Sequence, residues 1–374
     1  MNILCLNVGS SSLKFAIYQS RKLICPLQGE VHEIGSETSY LSLNGKKEKS
    51  QAVKDHKEAF FLICRHLPSL SFQAVSYRIV HGADFFDSPT LIDKKVLEKI
   101  SSLIPLAPLH LPNELQVIKL SMGTFKKTKH IGCFDTSFHK TIPNLASRLP
   151  LPDFYYKKKI KRYGFHGLSY EYIVHHFPKA SKKKIIIAHL GSGTSLCAVK
   201  NKKSQDTSMG FNPNSGVMMG TRSGDIESGV ILHLLQKVKM TPFQVQSLLE
   251  NKSGLLGVSN LSSDMSVLLN NRSKEKAQLA ISMYCYQLSK TIASYLATLN
   301  GLDDLIFTGG IGENSPEIRK KVCESLSFFK VQIDTQKNKA NKEIISKNTS
   351  SIQVHVIKTN EELMLAKHAL SILA

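Results

Sequence analysis

Ile3-Leu4-Cys5-Leu6-Asn7-Val8-Gly9-Ser10-Ser11-Ser12-Leu13-Lys14-Phe15-Ala16-Ile17 opens the chain. A second stretch answers it 182 positions later: Ile185-Ile186-Ile187-Ala188-His189-Leu190-Gly191-Ser192-Gly193-Thr194-Ser195-Leu196-Cys197-Ala198-Val199. At that offset Ser10 matches Ser192, Ser12 matches Thr194, Ala16 matches Ala198 and Ile17 matches Val199. Each copy reads as a buried apolar strand, a Gly/Ser turn and a second strand. Small residues at the tip leave backbone N–H groups and hydroxyls free, and glycine admits a ligand close to the backbone. Such a turn can hold phosphate oxygens in a nest of donors. One copy alone reads as a plain hairpin. Two copies half a chain apart point to two related domains facing a shared ligand.

The length of 374 residues agrees with two domains, at roughly 150 residues each. Further along, Lys276–Leu299 carries apolar residues at 277, 281, 284, 288, 292, 295 and 299, a helical stripe. Thr241-Pro242 predicts a capped helix start. Strands are expected at 305–308 and 354–357, and a final helix capped by Thr359-Asn360 runs through Leu373. The Lys/Asn/Ser-rich stretch 336–351 reads as an exposed excursion. Strands alternate with helices, so the fold class is α/β.

Composition narrows the function. Charged residues are 21 % and hydrophobic residues 42 %, ordinary for a globular protein. The net charge of +20 raises a nucleic-acid reading. However, the lysines fall in short clusters such as 126–127, 157–159 and 320–321, without a basic arm or aromatic-basic interleaving. They read as a solvated surface, and no nucleic-acid partner is expected. No apolar run approaches the ~18 residues of a membrane span. The run Ile3–Val8 is too short for a signal-peptide core and lacks a basic flank. Seven scattered cysteines without a Cys-x-x-Cys pair argue against a disulfide framework or structural zinc and fit a cytoplasmic protein.

Several segments could carry chemistry. Arg78-Ile79-Val80-His81-Gly82 and Met219-Gly220-Thr221-Arg222-Ser223-Gly224-Asp225 each place an arginine beside glycine. A lone arginine is usually a surface residue, but one per half suits clamps on an anionic substrate. Phe134-Asp135-Thr136-Ser137-Phe138-His139 and Tyr163-Gly164-Phe165-His166-Gly167 put Asp and His beside aromatics. A histidine there is often structural; its functional alternative is donation to a charged transferring group. No Gly-x-Ser-x-Gly nucleophile elbow is present, which argues against a serine hydrolase. Gly309-Gly310-Ile311-Gly312 resembles a nucleotide-contacting turn, yet matches neither Gly-x-Gly-x-x-Gly nor the P-loop pattern. Asn360-Glu361-Glu362 suits a helix cap, or a carboxylate that helps hold Mg²⁺.

Taken in order, these segments resemble the acetate kinase family, within the acetate and sugar kinase, Hsp70 and actin superfamily. The likeness spans nearly the whole chain. Besides the segments above, it rests on Ala107-Pro108-Leu109-His110, Thr207-Ser208-Met209-Gly210-Phe211, Ser253-Gly254-Leu255-Leu256-Gly257, Gly312-Glu313-Asn314-Ser315 and Asn360-Glu361-Glu362-Leu363. The resemblance implies two ribonuclease H-like domains with the active site in the interdomain cleft. The expected division is 1–134 plus 363–374 for the N-terminal domain and 135–362 for the C-terminal nucleotide-binding domain. It also implies a cytoplasmic homodimer that transfers a phosphoryl group from ATP to acetate, giving ADP and acetyl phosphate. By the same resemblance Arg78, Asp135, His166 and Arg222 are catalytic, with His166 and Arg222 stabilising the transition state. Arg78, Val80, Leu109, Phe165 and Pro213 would bind acetate. Ser12, Lys14, His189, Gly191, Ser192, Gly193, Asp264, Gly309, Gly310, Ile311, Gly312 and Asn314 would bind nucleotide. Asn7 and Glu361 would serve Mg²⁺, with Mn²⁺ as an alternative ion.

The sequence departs from the family's pattern at supporting positions. Ser192 stands where the family has Asn, and Leu168-Ser169-Tyr170 where it has Thr-Ser-His. Asn212-Pro213-Asn214-Ser215 replaces Thr-Pro-Leu-Glu, Glu227-Ser228 replaces Asp-Pro, and Leu111 replaces Asn. Met265-Ser266 replaces Phe-Arg, removing an arginine from the nucleotide side. An active kinase with altered nucleotide affinity is therefore expected. The alternatives are a propionate or other short-chain carboxylate kinase, a polyanion-binding protein on a kinase-like fold, and a non-catalytic regulator.

Overall fold

The computed structural model describes residues 1–48, 51–177, 181 and 183–374. The chain divides into two units, one of residues 1–138, 167–172 and 360–374, the other of 139–166 and 173–359. The first boundary thus falls after Phe138 rather than after 134, and the C-terminal return begins at Asn360 rather than 363. Residues 167–172, expected in the second domain, group with the first. Gly167 explains this. A Cβ there would overlap the Asp135 carbonyl, so the backbone at 167 is seated directly on the end of a first-unit strand.

In the first unit the opening sequence forms β1 (Asn2–Val8) and β2 (Leu13–Gln19), antiparallel, with Asn7 opposite Lys14. β3 (Ile24–His32), β4 (Tyr40–Leu43) and β5 (Lys46–Lys47) continue that meander. β6 (Ala74–Ile79), β7 (Thr90–Leu91) and β8 (Lys129–Phe134) complete a sheet of order β5-β4-β3-β2-β1-β6-β8-β7, with β1, β6 and β8 parallel. β1 is buried along nearly its whole length, as its unbroken apolar run requires of a strand covered on both faces. The helix Glu361–Leu373 covers β1 and β6 with Met364, Leu365, Ala366 and Ala369. Asn360 caps it, its Oδ1 accepting the Leu363 N–H at 2.8 Å.

The second unit repeats the plan with β9 (Lys184–Leu190), β10 (Thr194–Lys200), β11 (Lys203–Thr207), β12 (Asp304–Thr308) and β13 (Gln353–Val356). Its order is β11-β10-β9-β12-β13, three antiparallel strands followed by two parallel ones. The series β3-β2-β1-β6-β8 has the same order and the same directions. This is the ribonuclease H-like arrangement, present twice, and β1 and β9 begin 182 residues apart.

Parallel strands need long crossovers. The helix Glu275–Leu299 supplies one, and every residue of its predicted stripe is buried in the core with Ile186, Leu190 and Phe307. Thr241 caps the helix Pro242–Asn251 in a reciprocal box with Gln244. The stretch 336–351 is exposed along most of its length, as expected, with three residues turned inward. Asn338, Ile345 and Ser346 are buried, and the Ile345 N–H donates to the Val354 carbonyl at 2.9 Å. Asn338 is drawn inward by Arg319, fully buried, which donates to the Asn338 side chain and to the carbonyls of Gly312 and Glu313. Among the described residues no helix is long and apolar enough to cross a membrane. All seven cysteines are free.

Candidate active site

The first unit gathers its charged candidates where strand ends meet a helix start. Arg78 is the penultimate residue of β6, and Asp135 is the first residue beyond β8, aligned by its own N–H to the Ile79 carbonyl at 2.9 Å. Both the Nε and an Nη of Arg78 donate to one Asp135 oxygen, at 3.0 and 2.6 Å. Asp135 is fully buried, and 12 % of the Arg78 side chain is exposed. Burial alone would lower the Arg78 pKa. Asp135 and then Glu361 reverse this and hold it well above the usual arginine range, so the guanidinium stays charged. Glu361 lies 3.8 Å from Arg78 in the first turn of the terminal helix.

Asn7 ties this group to β1. Its Nδ2 donates to Glu361 at 2.8 Å and to Glu362 at 3.0 Å, and its Oδ1 accepts from Arg78 at 3.3 Å. Beside it the Gly9 N–H donates to the Ser12 carbonyl across the turn. Lys14 is exposed, its ammonium 4.0 Å from Glu30. Ser10 is exposed at the turn's tip, and Val80 and Leu109 lie within the same unit, buried and partly buried.

In the second unit His166 adopts a left-handed conformation, φ 58°. Its Nδ1 lies 2.8 Å from Ser195 Oγ, and its ring stacks on His189 at 4.3 Å between centroids. Arg222 donates to the Pro213 carbonyl at 3.0 Å. A Cβ built on Gly193 would lie 3.4 Å from His166 Nε2 and 3.6 Å from an Arg222 Nη. The second Gly/Ser turn therefore passes directly beneath both side chains. Gly254, at φ 62°, lets the chain press against the Met219 and Arg222 carbonyls, where a Cβ would collide. The Ser223 N–H and the Thr221 hydroxyl donate to the Leu249 and Glu250 carbonyls and fix the arginine loop.

Apart from Ser12 and Lys14, the nucleotide candidates lie within this unit. The Gly220 N–H donates to the Ser192 carbonyl at 3.0 Å, and a Cβ on Gly220 would lie 3.2 Å from the Ser263 carbonyl, next to Asp264. Gly309, at φ 76°, packs on the Leu190 backbone, and Gly312 abuts the Leu190 side chain. The Gly309 N–H donates to Glu313, and Asn314 donates to the Gly310 carbonyl. Asp264 caps the helix Met265–Asn270 through the Ser266 N–H. Ile311 is partly buried against the core. His139 is structural. Burial pushes its pKa down to about 4, and it binds the Phe165 carbonyl and the Ser204 hydroxyl.

Two supporting residues, His56 and Ser195, were not legible in the sequence, whereas Glu362 is read within the Asn360-Glu361-Glu362 helix start. His56 donates to the Gly9 carbonyl at 2.8 Å, Glu362 shares Asn7, and Ser195 sets the His166 ring. Neither His56 nor Ser195 had a signal: at the repeat's offset Ser195 stands opposite Leu13, and His56 lies in no motif. No group of three or more His, Cys, Asp or Glu suited to a metal occurs among the described residues.

The sequence profile of the Acetokinase family matches residues 2–367. The chain is 43 % identical over 382 residues to the acetate kinase of Rickettsia felis, covering 99 % of each chain. The crystal structure of Porphyromonas gingivalis acetate kinase superposes with a TM-score of 0.86 at 35 % identity, covering all of both chains. That of a propionate kinase from Francisella tularensis gives 0.89 at 34 % identity, covering 98 % of each. With its repeated sheet plan and its two arginine-centred groups, the chain belongs to the acetokinase family.

Proposed function

We propose that this protein is an acetate kinase, transferring the terminal phosphoryl group of ATP to acetate, reversibly and in line, to give ADP and acetyl phosphate. The arrangement of its arginines carries the reading. Arg78 is locked in its charged form against buried Asp135, and Arg222 is aimed by a carbonyl beside His166. Phosphoryl transfer needs little covalent help; it needs positioned positive charge around the transferring oxygens. Arg78 would orient the acetate carboxylate, with Val80, Leu109, Phe165 and Pro213 about its methyl group. Arg222 and a donating His166 would take up charge on the phosphoryl oxygens. The two Gly/Ser turns, with Ser12, Lys14, Gly191, Ser192 and Gly193, and the segment Gly309–Asn314 would hold the nucleotide.

Mg²⁺ suits the first unit. Glu361 and Glu362 converge on Asn7, and a hard cation needs only one or two carboxylates beside substrate phosphates. When bound, it would neutralise charge on the phosphate oxygens. Free thiols and the use of ATP support a cytoplasmic reading.

The test is acyl phosphate trapped with hydroxylamine from Mg-ATP and acetate, propionate or butyrate. Acetate is expected to give the highest kcat/KM, and a chelator to abolish turnover. Preference for propionate would move the reading to a propionate kinase, and no acyl phosphate from any acid would overturn it.

The homodimer is read from one helix. Ser228–Gln236 buries none of its residues, although it contains Val230, Ile231, Leu232, Leu234 and Leu235. Ile226, Val238 and Phe243 nearby are also exposed. Such a patch marks an interaction surface, here for a second copy. Light scattering is expected to give twice the chain mass, and Val230→Lys with Leu232→Lys to give monomer. A monomeric wild type would refute the assignment.

A further inference from the structure

Glu114 lies in the first turn of the helix Leu111–Thr124 and is 1 % exposed. Its Oε2 accepts the Val80 N–H at 3.1 Å, while its Oε1 is buried without a hydrogen-bond partner. Val80 lies one residue beyond β6, whose register with β8 ends at Ile79 and Phe134. Glu114 thus gives the Val80 N–H its acceptor where the strand stops.

We propose that Glu114 is a positioning residue for the acetate side of the site, its buried carboxyl fixing the backbone that carries Arg78 and Val80. The inference rests on the acetate kinase reading. A neutral carboxyl keeps Oε2 as the acceptor for Val80 and leaves no charge on Oε1, which has no hydrogen-bond partner. Ionisation would leave a charge buried on an oxygen without a donor. Burial pushes the Glu114 pKa up to about 8. Arg78 of β6 and the Val80 N–H act in the opposite direction, and Asp135 beyond β8 reinforces the rise. His110 precedes Glu114 at the start of the same helix. Asp135 and Glu361 already face Arg78. A further negative charge from Glu114 would weaken the field left for the substrate carboxylate.

The experiment measures initial rates with acetate and ATP varied separately from pH 6.5 to 9, in wild type, Glu114→Gln and Glu114→Leu. Glutamine keeps an acceptor for Val80 and stays neutral. Its KM for acetate is expected within about twofold of wild type at pH 6.5 and flat to pH 9, whereas the wild-type KM rises above pH 8. Leucine leaves the Val80 N–H buried and unpaired. KM for acetate is expected to rise about tenfold, with kcat and KM for ATP within about twofold. The proposal is overturned if Glu114→Leu leaves the acetate KM unchanged or raises both KM values alike, or if wild type and Glu114→Gln share one alkaline profile. Should the leucine variant fail to fold, the glutamine comparison decides. A wild type that makes no acyl phosphate would sink the parent reading before any variant is compared.

Discussion

Replacing Arg222 with alanine is expected to lower kcat for acetyl phosphate formation about 10³-fold, with folding intact. Removing one preorganised donor from a developing oxyanion typically costs 10²–10³, and an arginine on a transferring phosphoryl group is worth 10³–10⁵. The lower end applies here, because His166 stands beside the same glycine turn and remains. Folding should survive, since the Pro213 carbonyl that holds Arg222 is a neutral acceptor. Its loss strands no buried ion. The Ser223 and Thr221 bonds to the following helix, Pro242–Asn251, also continue to shape the loop. The check is kcat alongside the midpoint of thermal unfolding. An Arg222→Ala enzyme with undiminished kcat would end the assignment of this arginine to the transferring group. A collapsed midpoint would mean that the residue is structural.

The contrast between Arg222 and Arg78 also shows what could be read from the sequence. The repeat was legible because buried strands leave unbroken apolar runs and a close turn leaves glycine. Those two local signals fixed β1, β2, β9 and β10 and the register between halves. The arginines were legible because each stands in a short glycine-flanked segment. The pairing of Arg78 with Asp135 was not. The Arg78–Asp135 bond joins residues 57 apart, and the His56–Gly9 bond joins residues 47 apart. Nothing in either local segment encodes the other. Glu114 was hidden for the same reason, since its partner is a backbone N–H on another element. In the stretch 336–351 the polar composition announced exposure, and most of it is exposed; the inward turn of Asn338 was hidden because its partner, buried Arg319, lies on another element.

Asp135→Ala is expected to remove activity and also to destabilise the protein, by about 3 kcal/mol. Breaking a buried ion pair by deleting one member costs ~3–5 kcal/mol, because the remaining charge is left uncompensated. The lower figure holds because Glu361, 3.8 Å away, retains part of the attraction. Activity should fall because both Arg78 bonds to Asp135 fix the guanidinium plane. A bidentate donor that swings free cannot orient a carboxylate. The double variant Arg78→Met with Asp135→Leu separates the two effects. Apolar side chains of similar volume can replace a buried pair at little cost in stability. The double variant should therefore regain most of the unfolding midpoint lost by Asp135→Ala while remaining inactive. Thermal unfolding and the trapped-product assay on the three proteins read both quantities. If Asp135→Ala unfolds like wild type, the pair contributes nothing to the fold. If the double variant turns over, the charged pair is not what the reaction needs.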